Sequence, residues 1–227
     1  MAVKTIDVVS RALAVLEQVS LHQPASLGAL ARELDLDKSA VQRIVATLHA
    51  DGWIRPDAAG QGGWTLTGRA LAVGGRFAAG EDLRARARRV LREVHAATGE
   101  TVWLAVADGG SLIVVDEIAS THVLRVTFPI GYTGPFGPGT AGGAAILARE
   151  DDAEPDARVE QARSDGFAVQ MSGEVPLWAA AVALPREPGA LPAAVVIGVP
   201  QSRGGEPELR RLGAVLAEAV RTVYAGA

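Results

Sequence analysis

The sequence predicts an α+β fold made of an N-terminal winged helix-turn-helix, a helical linker and a C-terminal α/β domain with an antiparallel sheet. Three observations support it. Apolar residues recur at helical spacing through the first fifty residues, a strong hairpin signal follows Gly99, and an amphipathic helix closes the chain after two apolar strands. We therefore predict domains over residues 1–67 and 81–227, joined by a linker helix over 68–80.

The first two helices are indicated by apolar spacing and by stop and start signals. The first has one apolar face, ends near His22 where Pro24 cannot continue it, and is marked by Val8, Val9, Leu13, Leu16 and Val19. Ser26 then has the position of an N-cap for a short helix with the sequence LGALAREL. A turn over 35–37 leads into the next helix.

The third helix lies in the stretch LDKSAVQRIVATL. Its apolar residues are spaced i, i+3, i+4 and i+7, which predicts a stripe that packs on the core: Val41, Ile44, Val45 and Leu48. Its polar residues lie toward the helix start and include donors suited to phosphates or base edges: Lys38, Ser39, Gln42 and Arg43. The pattern is typical of a DNA recognition helix, and equally of an amphipathic helix with a solvated face.

A β-wing is predicted after this helix. The sequence WIRPDAAGQGGWTLT indicates two short strands, over 53–55 and 64–67, around a glycine-rich turn. In a DNA-binding protein, Gln61 and the glycine amides of the turn would lie near phosphates. The alternative is a plain surface hairpin. Trp53 and Trp64 are interpreted as a hydrophobic lid on the small core.

Residues 68–99 are predicted to be helical, as a connector and dimerisation segment. Arg84, Arg88 and Arg92 are spaced four residues apart. We interpret this strip as a solvated face, because nearby acidic residues can pair with it.

The C-terminal domain is predicted as a sheet flanked by helices. TVWLAVA and SLIVVDEI form a hairpin around the turn 108–110, and HVLRVTFP is predicted as a third strand. After a loop rich in glycine and proline, a short helix lies around AAILA. WAAAVALP and AAVVIGVP are predicted as buried strands, and PELRRLGAVLAEAVRTVYA as the closing helix.

Composition restricts the possible functions. The chain of 227 residues has a net charge of −4, so it is not built to coat nucleic acid along its whole length. Positive charge is concentrated locally, because 38–50 contains basic residues and no acid. With no cysteine and four scattered histidines, neither a disulfide nor a metal site is predicted, nor is any cofactor. No membrane span or signal sequence is evident, so we expect a cytoplasmic location.

Enzyme motifs are incomplete. GPGTAGGA has the glycine spacing of a phosphate loop but lacks the Lys and Ser/Thr that follow it. No G-x-S-x-G elbow is present. Asp116 and Glu117 are adjacent, so on a strand they would point to opposite faces. We therefore predict that the chain is not an enzyme.

The order of these parts resembles the IclR-type transcriptional regulators, along nearly the whole chain. The resemblance rests on five stretches: SRALAVLEQV, SLGALARELDLDKSAVQRIVATLHADGWI, GETVWLAVADGGSLIVVDEI, TAGGAAILA and DGFAVQMSGEVPLWAAAVALP. It implies a GAF-like effector domain after the winged domain. It also implies that dimers or tetramers bind double-stranded operator DNA, and that a small metabolite, often an organic or aromatic acid, adjusts the binding.

The resemblance places the effector in a cavity of the C-terminal domain, held partly by backbone amides at the start of a helix. On this chain those positions are Thr140, Ala141 and Gly142. Free N–H groups and the positive end of a helix dipole suit a carboxylate.

Several positions depart from the family pattern. Gly143, Ala144 and Ala145 stand where the family usually has GKA, so the lysine is missing. The other departures replace small or polar residues of the pocket, at Trp178, Ala181, Val196 and Gly198. We therefore expect a more apolar effector, or none. The residues expected to line the pocket are Trp103, Phe128, Met171 and Trp178, although each is also compatible with ordinary core packing.

Together these observations predict a sequence-specific regulator, repressor or activator, controlled by a small molecule. Arg43 is the candidate for a base contact. Ser26, Lys38, Ser39, Gln42 and Gln61 complete the predicted DNA contacts. The alternative is a ligand-sensing or assembly protein whose winged domain mediates protein contacts.

Overall fold

The computed structural model describes residues 6–60, 62–75, 81–171, 177–186 and 188–225. The chain divides into two compact units, Met1–Ala78 and Ala79–Ala227. Gln61, one of the predicted DNA contacts, lies outside the described residues.

The described residues of the N-terminal unit form three helices, a two-stranded wing and a fourth helix. The helices are α1 (Asp7–Leu21), α2 (Leu27–Glu33), α3 (Lys38–Ala50) and α4 (Gly68–Gly74), and the wing strands are β1 (Ile54–Pro56) and β2 (Trp64–Leu66). The strands pair antiparallel. One apolar cluster holds the unit together, with contributions from Val15 of α1, Leu30 of α2 and Ile54 of β1. The winged helix-turn-helix predicted from the sequence is present.

In the C-terminal unit, the described residues form one sheet of six strands with helices packed on it. The unit begins with α5 (Glu81–Thr98), followed by β3 (Thr101–Asp108), β4 (Ser111–Ile118) and β5 (Thr133–Pro135). Then come α6 (Ala141–Leu147), α7 (Ala157–Asp165), β6 (Ala168–Gln170), β7 (Leu177–Ala183), β8 (Ala193–Pro200) and α8 (Glu206–Ala225). The strand order is β5-β4-β3-β8-β7-β6, and every neighbouring pair is antiparallel.

Helices cover both faces of this sheet. On one face, α5 and α8 pack against large apolar side chains such as Leu104 and Ile197. On the other, α6 packs against smaller ones such as Ala181 and Ala194. Side chains alternate between the two faces along each strand, so each strand contributes to both cores.

The prediction that HVLRVTFP forms a third strand is wrong. Residues 122–129 form no strand, and the edge position beside β4 is taken by β5, which pairs with Ser111–Ile113. Val123 and Leu124 are both exposed and adjacent, so the segment does not alternate between a buried and an exposed side as an edge strand on a core would. The helix α7 was not predicted from the sequence, and Asp156 caps it by accepting a hydrogen bond from the Arg158 N–H.

No helix in the described part of the chain is long and apolar enough to cross a membrane.

Candidate DNA interface and ligand cavity

The buried side of α3 is the apolar stripe predicted from its spacing. Val41 and Val45 are 0% and 1% exposed, and Ile44 and Leu48 are 8% and 9% exposed. They pack into the core of the N-terminal unit with residues of α1, α2 and β1. The stripe therefore fixes the rotation of α3 about its own axis.

The opposite side of α3 presents hydrogen-bond donors to the surface. Lys38, Ser39, Gln42 and Arg43 are all exposed. Within the described part of the chain, their side chains form no hydrogen bond or ion pair with another residue. The four polar groups are thus available to an external partner. They lie in the first two turns of the helix.

The approach to α3 is a tight turn. Asp35 has a positive φ of 49°, and the Leu36 N–H donates to the Ala31 carbonyl over 3.0 Å. Asp37 occupies the N-cap position, but its side chain makes no capping hydrogen bond. Ser26 does cap α2, because its Oγ accepts from the Ala29 N–H at 3.1 Å. A DNA contact by Ser26 would have to use its hydroxyl hydrogen, and stays a prediction.

The wing is anchored by aromatic packing. Trp53 and Trp64 are both partly buried against the core of the N-terminal unit, as expected for a hydrophobic lid. The Arg69 guanidinium lies 4.9 Å from the centre of the Trp53 ring, a cation–π contact. Arg55 is exposed on β1 and adds a positive charge to the wing that sequence analysis did not assign to DNA.

A cavity of about 390 Å³ lies on the α6 face of the sheet. Every second residue of β3, β7 and β8 faces α6, and many of these residues are small, such as Ala105 and Ala179. Gly142 contributes to the space, because a Cβ at this position would lie 3.2 Å from Leu112 Cδ1. Small residues on this face leave a space that the Val, Leu and Ile side chains of the other face would fill.

Six of the predicted effector residues line this cavity: Trp103, Phe128, Thr140, Ala141, Gly142 and Val196. The Phe128 ring centre lies 5.3 Å from that of Trp103 and stacks on Tyr132 at 4.4 Å. These three aromatic rings form one wall. That the lining residues bind an effector remains a prediction.

Four predicted residues lie outside the cavity wall. Trp178 points to the opposite face of the sheet and packs against the α5 and α8 core, beside Gly204. Ala181 is fully buried between β7 and α6. Gly198 is covered by the Trp103 ring, since a Cβ there would lie 2.5 Å from Trp103 Cζ3. Met171, 41% exposed, lies on the surface.

The start of α6 is bonded to side chains of the chain itself. The Ala141 N–H donates to Gln170 Oε1 at 3.1 Å, and the Gly143 N–H donates to Thr140 Oγ1 at 3.1 Å. The Thr140 hydroxyl in turn donates to the Gly137 carbonyl at 3.2 Å. Of the three amides predicted to bind a carboxylate, those of Thr140 and Ala141 therefore already have acceptors, whereas the Gly142 N–H has none among the described residues.

Gln170 was not identified from the sequence. It is the last residue of β6. Strand alternation could have placed it, because it lies two residues after Ala168 and so shares the face that packs on α6. Gly143 also has a structural role: a Cβ there would lie 2.1 Å from the Gly137 carbonyl oxygen. A larger residue would prevent this close approach of the loop to the helix.

One ionisable group is hydrogen-bonded to a residue of the aromatic wall. The Trp103 Nε1–H donates to Glu117 Oε1 at 3.2 Å. Burial raises the pKa of the Glu117 carboxyl above its ordinary value of 4.5, against the opposing effects of this hydrogen bond and of the Arg125 charge. Glu117 is thus a negative group close to the cavity but not part of its lining.

Comparison with known proteins identifies the family. The family model for the IclR helix-turn-helix domain matches residues 8–58, and that for the bacterial transcriptional regulator IclR C-terminal domain matches residues 76–169. The chain belongs to the IclR family. This family consists of transcriptional regulators, in agreement with the prediction that the chain is not an enzyme.

Curated members of the IclR family align with much of the chain. It is 30% identical over 150 residues to the transcriptional repressor IclR of Escherichia coli, covering 65% of this chain and 54% of the repressor. It is 32% identical over 150 residues to the HTH-type transcriptional regulator TtgV of Pseudomonas putida, covering 65% of this chain and 56% of TtgV. The matches span about half the length of these curated relatives.

Solved structures of IclR proteins show the same fold. The IclR regulator of Alicyclobacillus acidocaldarius superposes with a TM-score of 0.75 at 21% identity, covering 98% of this chain and 99% of that one. An IclR homologue of Microbacterium hydrocarbonoxydans, solved with 4-hydroxybenzoate, gives a TM-score of 0.70 at 18% identity, covering 95% and 99%.

Proposed function

We propose that this protein is a sequence-specific DNA-binding transcriptional regulator whose affinity for its operator is set by a small molecule in the cavity of the C-terminal unit. The observation that supports it most strongly is the difference between the two sides of α3. Its apolar stripe is buried, whereas Lys38, Ser39, Gln42 and Arg43 are exposed without partners in the described chain. A helix held in this way can enter the major groove with its first turns toward the bases.

The four donors fall into two chemical groups, one suited to phosphates and one suited to base edges. A lysine ammonium or serine hydroxyl at the helix start suits phosphate oxygens, which position the protein without reading sequence. Gln42 and Arg43 can each form two parallel hydrogen bonds to a base edge, glutamine to adenine and arginine to guanine. We assign the base contact to Arg43 and the phosphate contact to Lys38.

The regulator is proposed to act as a dimer or a larger oligomer. With a net charge of −4, one reading helix provides little attraction to phosphates, so two helices on adjacent half-sites are needed for useful affinity. The α1 helix has an outward apolar side that a second copy would bury: Val8, Val9 and Leu13 are 62%, 51% and 61% exposed. Apolar exposure on one helix side is typical of an interface.

Regulation requires that the effector binds two arrangements of the oligomer with different affinity. We propose that a molecule in the cavity beside Thr140 and Gly142 shifts the separation of the two reading helices. A compound that raises the melting temperature but leaves operator affinity unchanged would contradict this coupling. The IclR homologue solved with 4-hydroxybenzoate supports the proposal that a small molecule acts as effector.

The test of DNA binding is selection of duplexes by the full chain from a random-sequence pool. We expect enrichment of a motif with two related half-sites about one helical turn apart. The Arg43→Ala variant should enrich a motif with lower information at one position of each half-site. No enrichment by the wild-type chain would contradict the proposal. If the wild-type chain enriched no motif and instead formed stable complexes with another protein, the alternative of an assembly module would be favoured.

A further inference from the structure

We infer that the cavity on the α6 face takes an uncharged, mainly apolar molecule of one or two rings, and excludes carboxylates. This inference rests on the proposed function, because it names the chemical class of that effector. The volume of about 390 Å³ is near the lower end of the range of about 300–1,000 Å³ for ligand pockets.

The described part of the wall has no charge to pair with an acid. Among the described residues that line the cavity, none has an ionised side chain at neutral pH. The surface is made of aliphatic groups such as Leu112, Val114 and Leu177, and of the stacked rings of Phe128 and Tyr132. Such a wall favours apolar and aromatic surface. It offers no counter-ion to a carboxylate, whose burial is costly without one.

Three of the four backbone amides at the start of α6 are engaged, those of Thr140, Ala141 and Gly143, and among the described residues only the Gly142 N–H has no acceptor. One N–H group does not replace a counter-ion. A carboxylate at the start of α6 would have to displace the Gln170 oxygen from the Ala141 N–H and the Thr140 hydroxyl from the Gly143 N–H. Both are intramolecular acceptors held at 3.1 Å. The displaced groups would then need new partners in an apolar cavity.

The charges near the cavity offer little net attraction to an acid. The Glu117 carboxylate accepts from the indole N–H of the wall residue Trp103, and the Arg125 charge acts on the same carboxylate. At the rim, a Cβ at Gly139 would lie 3.8 Å from Arg158 Nη1, but this guanidinium is held by Asp156 through hydrogen bonds of 3.1 and 3.0 Å. The pair has no net charge with which to attract an anion.

The polar groups of the wall suit a neutral substituent. The Gln170 side-chain amide and the Tyr132 phenol both border the cavity. A hydroxyl, carbonyl or nitro group can exchange a hydrogen bond with the Tyr132 phenol, and can lie beside the Gln170 amide, without bringing a charge into the apolar space. We therefore assign ligand orientation to this edge and affinity to the aromatic wall.

The experiment measures binding of isosteric pairs to the full chain by calorimetric titration. The pairs are nitrobenzene and benzoate, 4-nitrotoluene and 4-toluate, and 2-nitronaphthalene and 2-naphthoate. In each pair the shapes match and only the charge differs. We expect at least one nitro compound to bind, and every one that binds to do so at least tenfold more tightly than its carboxylate partner. A carboxylate that binds more tightly than its nitro partner, or failure of all three nitro compounds to bind, would overturn the inference.

Two variants locate the binding. Val196 lines the cavity, so Val196→Phe should fill it and abolish binding of the nitro compounds while the circular dichroism spectrum and melting temperature remain at or above those of wild type. Val123→Phe is the matched control, since Val123 is fully exposed and lies outside the cavity wall. Binding that survives in Val196→Phe would also overturn the inference.

Failure here is distinguishable from failure of the proposed function. Duplex selection uses the protein without any small molecule and is independent of the titrations. A chain that enriches an operator motif but binds carboxylates refutes only the ligand class. A chain that binds the nitro compounds but enriches no motif refutes only the regulator.

Discussion

In the N-terminal unit, the polar side chains assigned to a partner point away from a filled core, whereas in the C-terminal unit the candidate site is a space left within the core itself. The exposed donors of α3 depend on tight burial behind them, with Val41 fully buried. The cavity depends on the opposite condition, because small residues such as Ala105 and Ala179 leave the α6 face incompletely filled. The difference shows that one sequence can make a binding site by packing well in one place and by packing less in another.

The largest expected effect comes from charging the buried stripe of α3. Val41→Asp places an unpaired carboxylate in the core of the N-terminal unit and should cost about 4 kcal/mol or more. Ala46→Asp is the matched control, because Ala46 is exposed on the same helix. We expect the first variant to lose the melting transition of the N-terminal unit and the second to keep it, as measured by calorimetry. Equal effects would show that α3 is not held by this stripe.

The next largest effect is on the free energy of unfolding, and it should differ between the two faces of the sheet. Leu91 of α5 is fully buried in the face packed by α5 and α8, so Leu91→Ala should cost about 2–5 kcal/mol. Leu112 borders the existing cavity and is only partly buried. Leu112→Ala should therefore cost less, at most about 2 kcal/mol. Denaturant titrations measure both, and a larger loss at Leu112 would mean that the cavity face is the better packed.

A smaller effect is expected at the proposed phosphate contact. Lys38→Ala should weaken all duplexes alike and reduce the slope of log affinity against log salt by about 1 for each half-site. Fluorescence anisotropy over a salt series measures this slope. If the loss depended on sequence, Lys38 would be a base-reading residue.

The smallest effect concerns pH. Because the pKa of Glu117 is raised, the folded state takes up its proton at a higher pH than the unfolded chain does. The ionised carboxylate therefore opposes folding above the raised pKa, and this penalty disappears as the pH falls toward 4.5. Glu117→Gln keeps an oxygen for the Trp103 N–H and should raise the melting temperature at pH 7 by at most about three degrees. It should also flatten the pH dependence of the melting temperature between pH 4.5 and the raised pKa. A lower melting temperature at pH 7 would contradict this account.

Much of the N-terminal unit could be predicted because its signals are local. The spacing of Val41, Ile44, Val45 and Leu48 predicts which side of α3 is buried, and the remaining positions follow from helical geometry. The cap at Ser26 follows from its position before an apolar helix. The state of the Asp37 side chain depends on the turn geometry and could not be predicted in this way.

The cavity could be predicted only in part, because it depends on contacts between distant segments. Strand alternation does separate Trp178 from Ala181, since they are three residues apart and so face opposite sides of β7. Burial of Gly198 beneath the Trp103 ring depends instead on the pairing of β3 with β8. The bond between Gln170 and the start of α6 likewise joins segments 29 residues apart.

The most direct test of the central claim is the specificity ratio, the affinity for the selected duplex divided by that for a scrambled duplex, measured at one ionic strength for wild type and Arg43→Ala. Arg92→Ala, which removes the same charge from an exposed position on α5, is the control. We predict that Arg43→Ala loses about 1–3 kcal/mol on the selected duplex, with a reduced ratio, while Arg92→Ala leaves the ratio unchanged. Equal losses on both duplexes for Arg43→Ala would contradict the claim that the exposed side of α3 reads sequence.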